Sequence, residues 1–109
     1  MLEGLFGSIN RERVLVFIYC RNEGYAREIA RFFNTSLNPV QKQLDRLEVG
    51  GLLSSRNSGK TRLYTLNPRY PFLSELKLLL EKALSFYPAE EKERLVMIRK
   101  RPRRKDKPQ

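Results

Sequence analysis

The chain has 109 residues, 40% hydrophobic and 10% aromatic, which suffices for one domain with a real core but not for two ordinary ones. Its 22 Lys and Arg against 12 Asp and Glu leave a net charge of +10, a surplus that favours polyanionic partners, nucleic acid before an anionic membrane surface. The lack of histidine excludes a His-based metal site and a His general base, the lone Cys20 excludes an internal disulfide, and no apolar run reaches the roughly 20 residues of a membrane span.

Met1-Leu2-Glu3 does not open a secretory signal, so the expectation is a soluble cytoplasmic protein. From Ser8 to Arg21, Ile9, Val14, Leu15, Phe17 and Ile18 share an apolar side while Arg11, Glu12 and Arg21 lie elsewhere. This is helical spacing with Ser8 as a cap, and it places Cys20 as a buried helical thiol. After a break at Asn22-Glu23-Gly24, Ala26, Ile29, Ala30 and Phe33 recur at three- and four-residue steps, predicting a short helix that stops at Asn34 and keeps Arg27 and Arg31 on its outer side.

Only Asn34-Thr35-Ser36 precedes the next helix, so the two must cross steeply. Ser36 is its expected N-cap, Pro39 fits its first turn, Val40, Leu44 and Leu47 form one inward stripe, and Gly50-Gly51 ends it. A β-hairpin follows, with Leu52 to Arg56 and Thr61 to Leu66 as strands, Asn57 to Lys60 as the turn, and Arg56, Lys60 and Arg62 about its tip. Pro68 and Pro71 close this unit, and Phe72, Leu73, Leu76, Leu79, Leu80 and Leu84 then mark a strongly amphipathic helix.

Beyond Pro88 a further short helix is expected, acidic at its start and basic at its end, with Leu95, Val96 and Ile98 needing cover. From Arg99 to Lys107, seven cations against Asp106 hold +6 of the net +10, and Pro102 within the run and Pro108 just after it oppose a continuous helix, so this tail is expected to be disordered when free. The division is therefore a domain over residues 1–87 and a short helix with a basic tail over 88–109.

Helix, short helix, tight turn, helix, hairpin, helix is the order of a winged helix-turn-helix domain, mainly α with a small β-hairpin wing. The run S-L-N-P-V-Q-K-Q-L-D-R-L-E-V-G-G-L-L from Ser36 resembles the recognition-helix register of ArsR-like winged-helix regulators, and G-K-T-R-L-Y-T-L-N-P resembles their wing. L-F-G-S at Leu5 to Ser8, N-P-V, and L-N-P followed by P-x-x-x-E-L-K look like a branch often found before minimal nucleotidyltransferases. The resemblance covers about residues 5 to 85. It implies sequence-specific binding of double-stranded DNA, usually by a dimer joined through terminal helices, with repression as the common outcome.

Two features depart from it. No cysteine stands in the reading helix, so metal-controlled release is not implied, and Gly7-Ser8 precedes no Asp-x-Asp pair of the nucleotidyltransferase kind.

With the stripe turned inward, Asn38, Gln41, Lys42 and Asp45 face outward, flanked by Gln43 and Arg46. Amide side chains can pair adenine, and Lys42 or Arg46 can take guanine or phosphate. Asp45 is the awkward member, because phosphates repel a carboxylate unless a cytosine amine or Arg46 answers it. Thr35 and Ser36, beside Pro39, sit where a phosphate can meet the helix start, and Arg56, Lys60 and Arg62 would follow the backbone or enter the minor groove.

The expected function is thus a cofactor-free, homodimeric DNA-binding regulator, with recognition helix 36–50, wing 54–64 and the Phe72 to Leu84 helix as dimer interface. The alternative is a protein-interaction module partnering a nucleotidyltransferase or toxin-like protein. RNA binding comes third, since exposed aromatics are few. No paired carboxylates, metal-ligand cluster or phosphate-binding glycine loop points to an enzyme.

Overall fold

The computed structural model describes the backbone of residues 2–104 and the side chains of residues 2–96. Among the described residues, six helices and a three-stranded antiparallel sheet follow in the order α1 (Glu3–Phe6), α2 (Ile9–Arg21), β1 (Gly24–Tyr25), α3 (Ala26–Phe32), α4 (Leu37–Val49), β2 (Leu53–Ser58), β3 (Thr61–Leu66), α5 (Leu73–Leu84) and α6 (Ala89–Arg104). α2 is the central pillar. Val14, Leu15, Val16, Phe17 and Ile18 are wholly buried on it, and α4, α5 and α6 all pack against it.

Local chemistry sets the boundaries. Ser8 caps α2, its hydroxyl accepting from the Arg11 N–H at 3.3 Å. The turn between α3 and α4 is a Schellman closure: Asn34 takes the left-handed conformation at φ 54°, and the Thr35 N–H donates to the Ala30 carbonyl at 2.9 Å. α4 ends the same way, with Gly51 at φ 86° and the Leu52 N–H on the Leu47 carbonyl at 2.9 Å. Val40, Leu44 and Leu47 are the buried stripe that their spacing predicts, seating α4 on α2 and α3.

β3 is the middle strand, paired with β1 on one side and β2 on the other. The β2–β3 register runs from Leu53↔Leu66 to Ser58↔Thr61, so the strands continue past the expected turn and leave a two-residue loop, Gly59-Lys60, opened by Gly59 at φ 66°. β1 occupies what reads in sequence as a break. Its Gly24 pairs with Tyr64, and a Cβ there would meet the Phe17 ring at 3.1 Å and Ile29 Cδ1 at 3.2 Å, so a larger residue would have to push these core side chains aside for the strand to lie this close to α2.

α6 is longer than the short helix expected, taking in the first part of the basic run; the rest of that run, from residue 105 on, lies outside the described residues. Leu95 has the cover it needs, being fully buried. Arg21 fastens the helix: its guanidinium lies 4.3 Å from the Phe17 ring centroid, pairs with Glu28 at 3.5 Å and donates to the Leu95 carbonyl at 3.3 Å.

Glu12 overturns one expectation. Helical spacing sets it apart from the apolar side of α2, yet it is 1% exposed. Its two carboxylate oxygens accept from the Leu2 N–H and from the Tyr87 hydroxyl, each at 2.7 Å, so it ties the start of the chain and the α5–α6 junction to α2.

Candidate nucleic-acid interface

α4 and the β2–β3 hairpin build one continuous face. Asn38, Lys42, Asp45 and Arg46 are exposed along α4, and Gln41 is half-buried among them. Leu37 and Pro39, half-buried in the first turn, set the helix start. Ser36 takes the N-cap position with extended backbone, but its side chain makes no capping hydrogen bond, and the residue is exposed. Thr35 cannot offer a phosphate its backbone N–H, because the Schellman closure uses it.

Gln43 stands apart from the rest. It is 7% exposed, and its Oε1 accepts from Arg11 Nε at 2.8 Å, while Arg11 Nη1 donates to the Phe6 carbonyl at 2.8 Å. As placed, it braces α4 against α2 and α1 and does not reach the outer face, so the flank expected to carry it carries only Arg46.

The wing is coupled to α4 by side chains. Arg62 Nη1 donates to Ser55 Oγ at 2.8 Å, and Ser55 Oγ donates to Glu48 Oε2 at 2.7 Å, a relay from the hairpin to the end of α4. Tyr64, in β3, meets Gln41 at 3.1 Å. Burial pushes the Tyr64 hydroxyl above its ordinary pKa, so it stays neutral and available for hydrogen bonding.

Of the wing cations, Arg56 faces Glu23 at 3.8 Å, and Lys60 at the tip has no ion pair among the described residues. Lys42 and Arg46 on α4, and Arg27 on α3, are likewise unpaired among the described residues. Between α3, α4 and the wing lies a cleft of about 250 Å³ lined in part by Arg27, Gln41, Lys60, Arg62 and Tyr64. Arg27 therefore joins the face from α3. Its exposed position is readable from helical spacing, but its nearness to the wing tip is not.

The arrangement offers one helix of exposed polar side chains with cations on both flanks, a shape and charge that match a major groove bordered by phosphates. Among the described residues no cluster of His, Cys, Asp and Glu is grouped as metal ligands are, and no helix is long and apolar enough to cross a membrane.

No protein-family model and no curated protein matches the chain. Solved structures do. Reduced HlyU from Vibrio cholerae superposes with a TM-score of 0.61 at 23% identity, over 79% of this chain and 84% of that one. A mutant MarR from E. coli gives 0.60 at 16% identity, over 89% and 69%. Reduced AbfR, solved bound to DNA, gives 0.58 at 20% identity, over 88% and 71%. At these identities the likeness establishes the fold, and the fold is the winged helix-turn-helix.

Proposed function

We propose that this chain is a DNA-binding transcriptional regulator, a repressor, that holds α4 in the major groove and lays the wing along the backbone or minor groove. The observation that carries the reading is the set of unpaired cations, Arg27, Lys42, Arg46 and Lys60, contributed by three separate elements to the borders of one exposed polar helix face. The structure of AbfR on DNA supports it, as a chain of the same fold engaged with that partner.

Within this reading, Asn38, Gln41, Lys42 and Arg46 meet the groove. Thr35, Ser36 and Pro39 border the phosphates at the helix start, and Arg56, Lys60 and Arg62 serve the backbone. The protein acts in the cytoplasm as a homodimer through α5, which leaves Phe72 and Leu78 exposed at 62% and 67%. Residues 1–87 are the DNA-binding unit, and 88–109 add a helix and a basic run that strengthens salt-sensitive affinity. The register of the Ser36 run supports an ArsR-like reading, of the branch often found before minimal nucleotidyltransferases.

The test is fluorescence anisotropy with duplexes from upstream of its own gene. Sequence-dependent binding that weakens steeply with salt is expected; folded protein with no sequence preference at any salt would sink the proposal. In sedimentation, Leu78→Glu is expected to turn the dimer into a monomer.

A second reading, an adaptor for a nucleotidyltransferase or toxin-like protein, draws on Val49, which is 89% exposed at the end of α4 where DNA contact needs no apolar group. It would be favoured by a stoichiometric protein partner whose binding survives Lys42→Ala and Arg62→Ala.

A further inference from the structure

Gln41 lies between two acceptors. Its Nε2 donates to Asp45 Oδ1, one helical turn on, at 3.0 Å and to the Tyr64 hydroxyl at 3.1 Å. The orientation of the amide is forced, because a carboxylate oxygen only accepts, so the nitrogen must face it. A primary amide has two N–H donors, and both are spent here. Toward DNA, Gln41 therefore retains an acceptor, its carbonyl oxygen, and Asp45 offers acceptors only.

That changes what this stretch of α4 can read. Pairing of glutamine with adenine needs a donor and an acceptor from the same amide, so it is closed to Gln41 while the network stands. The major groove presents two amine donors, cytosine N4 and adenine N6, and adenine sets the N7 acceptor beside its amine, which repels a carboxylate. Cytosine has no such acceptor. Its partner guanine presents O6 and N7, and Lys42 and Arg46, exposed and without ion pairs among the described residues, lie within one helical turn of Asp45 to take guanine or a phosphate. The anchor is firm, since Tyr64 is 2% exposed and held in the central strand.

Resting on the DNA-binding reading above, we infer that Asp45 is a specificity-determining residue, its carboxylate positioned by the Tyr64–Gln41 chain to accept the N4 amine of a cytosine. This accounts for a negative charge kept at the centre of a cationic face, where it opposes binding to any sequence that does not supply that amine. Specificity then comes in part from repulsion of the wrong bases.

The experiment is selection from randomised duplexes with the full chain, comparing wild type, Asp45→Asn and Tyr64→Phe. The wild type is expected to enrich cytosine at one position of each half-site. Asp45→Asn is expected to turn that position to adenine, which asparagine pairs through N6 and N7, and to lose about tenfold or more in affinity for the wild-type site. Tyr64→Phe, which releases Gln41, is expected to lower discrimination at that position severalfold with the rest of the site unchanged. Sequence-dependent binding with no cytosine position that responds to Asp45→Asn would overturn the inference and leave the DNA-binding reading standing. Absence of any enriched sequence for the wild type would overturn both.

Discussion

Glu12 on α2 and Asp45 on α4 are the same chemical group in opposite surroundings. Glu12 is 1% exposed, and both its oxygens are engaged, by the Leu2 N–H and the Tyr87 hydroxyl. Asp45 is exposed and takes one hydrogen bond from Gln41. A buried carboxylate without partners costs several kcal/mol, so Glu12 persists only because distant parts of the chain come to it, and it acts as a tie. An exposed carboxylate costs little and adds little, which leaves its charge to act on whatever approaches. The two deletions should therefore move different observables.

The largest effect is expected from Glu12→Ala. It strands the Tyr87 hydroxyl and the Leu2 N–H and opens space beside α2, and it should cost about 3 kcal/mol of stability in a urea titration. DNA affinity of the protein that remains folded should stay within about twofold, because Glu12 lies away from the α4 face. A loss below about 1 kcal/mol would break the contrast between the two carboxylates.

Tyr87→Phe tests the other half of that tie and should cost about 1 kcal/mol near neutral pH. Burial, and then the Glu12 carboxylate, push the Tyr87 hydroxyl far above its ordinary pKa of 10.0. The folded protein thus keeps a proton that the unfolded chain releases. Stability from this contact is whole below pH 10 and is lost as pH rises beyond it, at up to about 1.4 kcal/mol per pH unit. Unfolding titrations between pH 9 and 11 should show a steeper decline for the wild type than for Tyr87→Phe; equal slopes would remove Tyr87 from the account.

Much of α4 was legible because its signals are local. The Val40, Leu44, Leu47 stripe, the early proline and the closing glycines all lie within one helix and its ends. The hairpin declared itself by the same means, although Gly59 carries the tight loop and the strands run further than Leu52 to Arg56 suggested. What escaped depends on distant partners. Glu12 has the spacing of a surface residue, and its burial follows from partners outside its helix, the Leu2 N–H and the Tyr87 hydroxyl 75 positions away. Gln43 turns inward because Arg11, 32 positions earlier, meets it there. β1 is two residues long, too short to alternate, so Gly24 reads as a break until Phe17 is seen against it. The outward residues of α4 could be named from periodicity, whereas the bond from Gln41 to Tyr64 across 23 positions could not.

On the reading face, a smaller effect is expected from Lys60→Ala. Loss of one phosphate-directed cation should weaken binding about fivefold to tenfold for all sequences alike and reduce the salt slope by about 1. Affinity measured at several salt concentrations separates this from a base contact, which would change discrimination and leave the slope in place.

The smallest change, and the one that divides the two carboxylates most sharply, is expected from Asp45→Ala. Its stability should shift by no more than about 0.5 kcal/mol, since an exposed side chain with one hydrogen bond is removed. Affinity for unrelated duplexes should rise about twofold to threefold, because a negative charge leaves a surface flanked by Lys42 and Arg46. The gain should shrink as salt is added, because phosphate repulsion at an exposed site is screened over a Debye length of about 8 Å at physiological ionic strength. If the variant instead bound unrelated DNA no better than the wild type at low salt, Asp45 would lie outside the contact surface, and the outward face of α4 would need another partner.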